Sequence, residues 1–238
     1  MSVSIEDVLP KGWRDFIAPE GRIGLGLDIA TTTKKKSNPS GFAIIQEDGP
    51  LYVARVVARW KTADPDICKE IMDEALDLPH GLKADAFCVD ATSEKYFAAI
   101  LKKYCAGRVQ THLIVNSETL LYLGEKMSYK LYLGNLLINA VHDREMLLPS
   151  EAWLTKDLRQ VKRAGGTFTC EVETDGSHGD CFDGLKLALH GLKTNSGPAE
   201  MMDAPVGQYG QNQRQHQDRR YPDTSEDYAR SGSGLTYT

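Results

Sequence analysis

Asp28 closes the run IGLGLDIA (23–30) and Asp90 closes ADAFCVDAT (84–92), two stretches that are otherwise almost wholly apolar. Asp180 and Asp183 stand near the start of HGDCFDGLKLALHGL (178–192). Taken singly, each has an ordinary explanation. A strand-ending Asp often forms a turn or caps a helix, and acids suit the positive end of a helix dipole. Together they ask for more. A carboxylate at the end of a buried strand is costly unless a cation offsets it, and several meeting at one point repel one another unless a metal holds them. Hard oxygen donors with little His or Cys nearby select Mg²⁺ or Mn²⁺. Two such ions, roughly 3.5–4 Å apart, activate a water and stabilise the leaving oxygen of a phosphodiester. In such a site Asp28 bridges both ions, Asp90 completes one, and Asp180 or Asp183 completes the other. Asp180 and Asp183 are three residues apart, which puts them on one helix face. His178 is placed to bind the scissile phosphate or to move a proton near neutral pH; a capping or exposed His is its ordinary alternative.

The elements around these acids follow from periodicity. Residues 23–30 read as a buried strand, 31–41 as an exposed hairpin loop with Lys34, Lys35 and Lys36, and 41–48 and 51–60 as two further strands turning at Asp48-Gly49-Pro50. A helix over 64–78 opens at Asp64 and Pro65, with Ile67, Ile71, Ala75 and Leu78 on its apolar face. Then come a strand (84–92), a helix (93–105), a strand (108–116) and a longer helical stretch (117–141). Met146-Leu147 reads as a short link. Ser150 would cap a helix over 151–164 stopped by Gly165-Gly166, before an edge strand (166–174) and the final helix. Strand–helix–strand units force parallel pairing. The expected fold is α/β: a mixed sheet, with an antiparallel three-strand meander plus parallel strands, flanked by helices. Chemistry collects where the central strands of such a sheet lie side by side, so Asp28 and Asp90 can meet.

Composition bounds the rest. A hydrophobic share of 41% and a charged share of 26% suit a soluble globular core, and no apolar run is long enough for a membrane helix. No secretory signal opens the chain, so no membrane is expected among its partners and a cytosolic location is. Five widely spaced cysteines with no CxxC pair argue against a zinc or redox motif. The net charge of −5 does not advertise a nucleic-acid binder. Yet Lys34–Lys36 cluster, as do Arg159, Lys162 and Arg163, and both groups are candidate phosphate contacts, with solvated surface charge as the plain alternative. Three segments are expected: an N-terminal arm or linker (1–21), a core domain (22–194) and a disordered tail (195–238) rich in Gly, Gln, Arg, Asp and Ser.

GLDIATT (26–32), VDAT (89–92) and HGDCFDGLKLALHG (178–191), in that order, resemble the nuclease domain of a tailed-phage terminase large subunit, the enzyme that cuts concatemeric DNA during genome packaging. VDAT is similar to the second acidic motif of the Mu-like branch, with Ser93 where a Gly commonly follows. The resemblance implies a ribonuclease H-like fold, two-metal cleavage of double-stranded DNA and low sequence specificity. Members differ in which Asp of the last motif is the ligand; the Mu-like spacing favours Asp180 slightly and leaves Asp183 open. The implied partners are an ATPase motor domain, a small subunit, and the portal or procapsid, reached through the tail, in the cytoplasm of a host bacterium. No GxxxxGK[ST] motif occurs in the chain, so it should cut DNA without hydrolysing ATP, as an excised C-terminal domain or a separately encoded nuclease. The alternatives are a Holliday-junction resolvase or transposase-like nuclease with the same acids, an actin- or sugar-kinase-like phosphotransferase, and a non-catalytic packaging scaffold. The phosphotransferase would need a second glycine-rich phosphate loop, which is absent from the sequence.

Overall fold

Strand β1 (Ile23–Asp28) is the centre of a six-stranded mixed sheet in this computed structural model, which describes residues 3–31, 38–62, 64, 66–170 and 179–194. β2 (Ser40–Asp48) and β3 (Leu51–Trp60) complete the antiparallel meander. On the other side, β4 (Ala86–Asp90) runs parallel to β1 and β5 (Thr111–Ile114) parallel to β4. The spatial order is β5-β4-β1-β2-β3-β8, where β8 (Met146–Leu147) is a short strand parallel to β3. The residues expected to be a link thus form the sheet's last strand.

Helices cover both faces, which is why β1 and β4 are continuously apolar rather than alternating. On one face, α2 (Asp66–Leu76) and α3 (Lys95–Tyr104) bury Ile71, Met72, Phe97 and Leu101 against Leu25, Leu27, Phe87 and Val89. The N-terminal arm joins this face. Its short helix α1 (Ile5–Val8) and a 3-10 turn at Trp13–Phe16 bury Val8, Leu9, Trp13 and Ile17, and Arg14 donates to Glu74 at 2.6 Å. The opposite face is covered by α4 (Tyr129–His142), α5 (Ala152–Arg159) and α6 (Asp180–Thr194).

Helix α6 lies so close to the sheet that the strands beneath it must lack side chains. A Cβ on Gly26 would stand 2.1 Å from the Gly184 carbonyl oxygen, and one on Gly41 would stand 2.0 Å from that of Asp180. These glycines let the start of α6 settle over the ends of β1 and β2.

Two stretches depart from the expected helices. Residues 117–128 are not helical: β6 (Thr119–Tyr122) and β7 (Glu125–Ser128) form a hairpin that precedes α4. Its two-residue turn has positive φ at both Leu123 (51°) and Gly124 (86°), the geometry that matches strand twist. Ser128 then caps α4, its Oγ accepting from the Leu131 N–H. Similarly, α5 stops at Arg159, Glu151 rather than Ser150 is its N-cap, and 161–164 becomes β9 (Val161–Ala164), paired with β10 (Thr167–Cys170). Gly165-Gly166, both at positive φ, are the hairpin turn and not a helix stop.

Among the described residues no helix is long and apolar enough to cross a membrane. They belong to one compact unit, Met1–Ser196; the 195–238 tail lies outside the described residues.

His190, on the side of α6 that meets α4, carries a pH prediction. It is buried beside Tyr132 and Tyr129, ring centroids 5.6 and 6.0 Å away, and burial lowers its pKa from 6.5 to about 4. The unfolded chain therefore takes up this proton first. The stabilising contribution is fully present above pH 6.5 and is lost as pH falls toward 4, by about 3 kcal/mol in all. Urea melts at pH 7 and pH 4.5 should differ less for His190→Phe than for the wild type; equal differences would remove His190 as the cause.

Candidate active site

Asp28 is the last residue of β1 and Asp90 the last of β4. The two lie one step beyond the paired residues Leu27 and Val89, so the parallel register brings their carboxylates to neighbouring strand ends. Helix α6 supplies the other two acids in its first turn. Asp28 is half-buried, and its carboxyl is pushed well above its ordinary range. Shielding from water is the main cause, followed by the charges of Asp183 and then Asp90; Lys186 opposes them, and Asp180 adds the smallest share. Burial also raises Asp90, opposed by hydrogen bonds from Thr92 and by the Lys186 charge.

Lys186 is the countercharge of this cluster, and it was not evident as a site residue from the sequence. Its side chain is only 2% exposed and its ammonium is ion-paired with Asp183. The signal available was a lone Lys within the apolar run GLKLALHG, one helical turn after Asp183.

Asp180 and Asp183 differ in surroundings. Asp180 is fully buried against Gly41, near Asp157, whereas the Asp183 side chain is 26% exposed and faces Asp28 and Lys186. The start of α6 is held by Asp157, a buried carboxylate that accepts from the Cys181 N–H at 3.1 Å and from Arg59 at 3.0 Å. Asp157 and Arg59 also escaped sequence reasoning, since their 98-residue separation hides the pairing.

Two clefts flank the acids. One, of about 300 Å³, is lined by Asp28, Asp90, Asn38, Ser93 and Glu94. The other, of about 320 Å³, is lined by Asp183, Lys186, Lys130, Phe168, Thr169 and Cys170. The β9–β10 hairpin thus borders the second cleft, and it carries the exposed Lys162 and Arg163, while Arg159 is exposed at the end of α5. His178 and Lys34, Lys35 and Lys36 lie outside the described residues.

The donor set suits a hard divalent cation: among the described residues it is mainly carboxylate oxygens, with crowded negative charge that Lys186 offsets. Among the described residues, no three His, Cys, Asp or Glu side chains stand close enough to hold an ion without moving.

No protein-family model matches the sequence, and no curated protein matches it. The fold has clear relatives. The large terminase nuclease of thermophilic phage G20c, with bound magnesium, superposes with a TM-score of 0.53 at 14% identity, covering 79% of this chain and 98% of that one. A mutant nuclease domain of the large terminase subunit of bacterial virus Sf6, with manganese and beta-thujaplicinol, gives 0.50 at 13% identity over 78% of this chain and 95% of that one. The large terminase of a further thermophilic bacteriophage gives 0.50 at 13% identity; this chain spans 73% of its own length and 40% of that protein. The mixed sheet and its flanking helices are accordingly those of the large-terminase nuclease-domain fold.

Proposed function

We propose that the chain is a metal-dependent DNA endonuclease that hydrolyses phosphodiester bonds with low sequence specificity, cutting concatemeric viral DNA during genome packaging. One observation carries this: β1, β4 and α6, distant in sequence, bring Asp28, Asp90 and Asp183 to one end of the sheet with Lys186 as their countercharge. The neighbours described with magnesium and manganese support Mg²⁺ or Mn²⁺ as the cofactor, here taken as two ions. Bound there, the ions would supply an activated water and stabilise the leaving oxygen. Asp28 would bridge them and Asp90 would complete one. The exposure of Asp183 and its effect on Asp28 favour it over Asp180 for the other, although the sequence leaned toward Asp180. Lys162, Arg163 and Arg159 would hold the DNA backbone beside the cleft, joined by Lys34–Lys36, with His178 near the scissile phosphate. Double-stranded DNA is the substrate. The motor domain, the small subunit and the portal or procapsid are the partners, within the host bacterial cytoplasm.

Plasmid cleavage in Mg²⁺, Mn²⁺ or EDTA tests this, with a four-way junction as competing substrate to expose a resolvase. Asp183→Asn should lower cleavage about a hundredfold, or roughly 2.7 kcal/mol. Asp180→Asn should stay within a factor of ten. The reverse order would make Asp180 the ligand. No cutting in either metal would overturn the proposal.

A further inference from the structure

We infer that Asn116 is a positioning residue that fixes the carboxylate of Asp90 for metal binding. This rests on the metal-nuclease reading and adds a residue to it. Asn116 lies two residues past the end of β5, the strand paired with β4. Its backbone is pinned on both sides: its N–H donates to Thr92 Oγ1 at 2.9 Å, and its carbonyl accepts from the Lys130 N–H at 3.1 Å. The side chain Nδ2 donates to Asp90 Oδ2, while the Thr92 N–H donates to Asp90 Oδ1 at 2.7 Å. Each oxygen of Asp90 thus has at least one donor. That fixes the carboxyl plane and leaves the remaining lone pairs for a cation.

The other end of the amide shows what it is for. Asn116 Oδ1 is buried and has no hydrogen-bond partner among the described residues. An unpaired buried acceptor costs about 1–3 kcal/mol. An amide kept for stability would pair both ends; among the described residues this one directs its side-chain hydrogen bonding to Asp90. Partners that orient a metal ligand in this way are typically worth about 10–100-fold in metal affinity or activity.

The experiment is Mn²⁺ binding by calorimetry to the full chain, alongside cleavage across a Mn²⁺ titration, for the wild type, Asn116→Ala, Asn116→Ser and Asp90→Asn. Asn116→Ala should bind Mn²⁺ 10–100-fold more weakly, about the range for such partners. Its cleavage should recover at saturating Mn²⁺, and its metal-free melt should stay cooperative. Asn116→Ser, which retains a donor, should fall between Ala and wild type. Wild-type affinity in Asn116→Ala, beside lost binding in Asp90→Asn, would overturn this inference and leave the nuclease intact. A cleavage loss that no Mn²⁺ concentration recovers would also overturn it, as would failure of both Asn116 variants to fold, because the residue would then be structural. A wild-type chain that binds no Mn²⁺ would remove the inference and the metal-nuclease reading together.

Discussion

Replacing Asp28 by Asn is expected to lower metal-dependent DNA cleavage about a thousandfold, equivalent to about 4 kcal/mol of transition-state stabilisation, while raising the melting temperature of the metal-free protein. Both effects have one origin. In the fold, the Asp28 carboxyl is pushed well above its ordinary 3.8 by burial and by Asp183 and Asp90. The unfolded chain therefore ionises first. The resulting penalty is absent below pH 3.8, grows as pH climbs toward the raised value, and is carried at neutral pH. An amide removes that penalty, and each kcal/mol recovered is worth about 2–4 °C in a domain of this size. The same amide would be a far poorer ligand than the carboxylate for the proposed cations. Thermal melts in EDTA, set beside plasmid cleavage in Mn²⁺, separate the two effects. A variant that melts lower without metal, or that cuts like the wild type, would contradict this role for Asp28.

Lys186→Met should act in the opposite sense, destabilising the metal-free protein by about 3 kcal/mol. Removing one partner of a buried ion pair costs about 3–5 kcal/mol. The low end applies because Asp183 keeps 26% of its side chain exposed. Without the ammonium, the acids face one another with no buried cation among the described residues. The expected drop in melting temperature is roughly 6–12 °C. Divalent cations should restore much of it, since a ligand at a hundred times its Kd contributes about 2.7 kcal/mol. Melts of Lys186→Met with and without Mn²⁺ give the answer. A loss that Mn²⁺ leaves untouched would make Lys186 an ordinary structural charge rather than a stand-in for the metal.

Much of this arrangement was legible from local pattern. The apolar runs ending at Asp28 and Asp90 mark central strands covered on both faces, and the order of strands and helices fixes a meander joined to parallel strands. The two hairpins were not legible. Residues 117–128 carry leucines at spacings that also fit a helix, and only the Leu123-Gly124 turn, with its exposed Leu121 and Leu123, separates the possibilities. Residues 161–164 continue the charged, helix-compatible composition of α5, and pairing with β10 decides their form.

By itself the sequence determined which acids could share a site, because burial periodicity and chain order are local properties. What those acids face was decided by tertiary structure. The glycines at 26 and 41 set how closely α6 crosses β1 and β2, and that crossing turns Asp183 toward Asp28 while burying Asp180. It also carries Lys186 into the cluster, as the β4–β5 register carries Asn116 to Asp90. Charge and hydrogen-bond partners separated by 26 residues or more meet only through packing, so no local pattern records them.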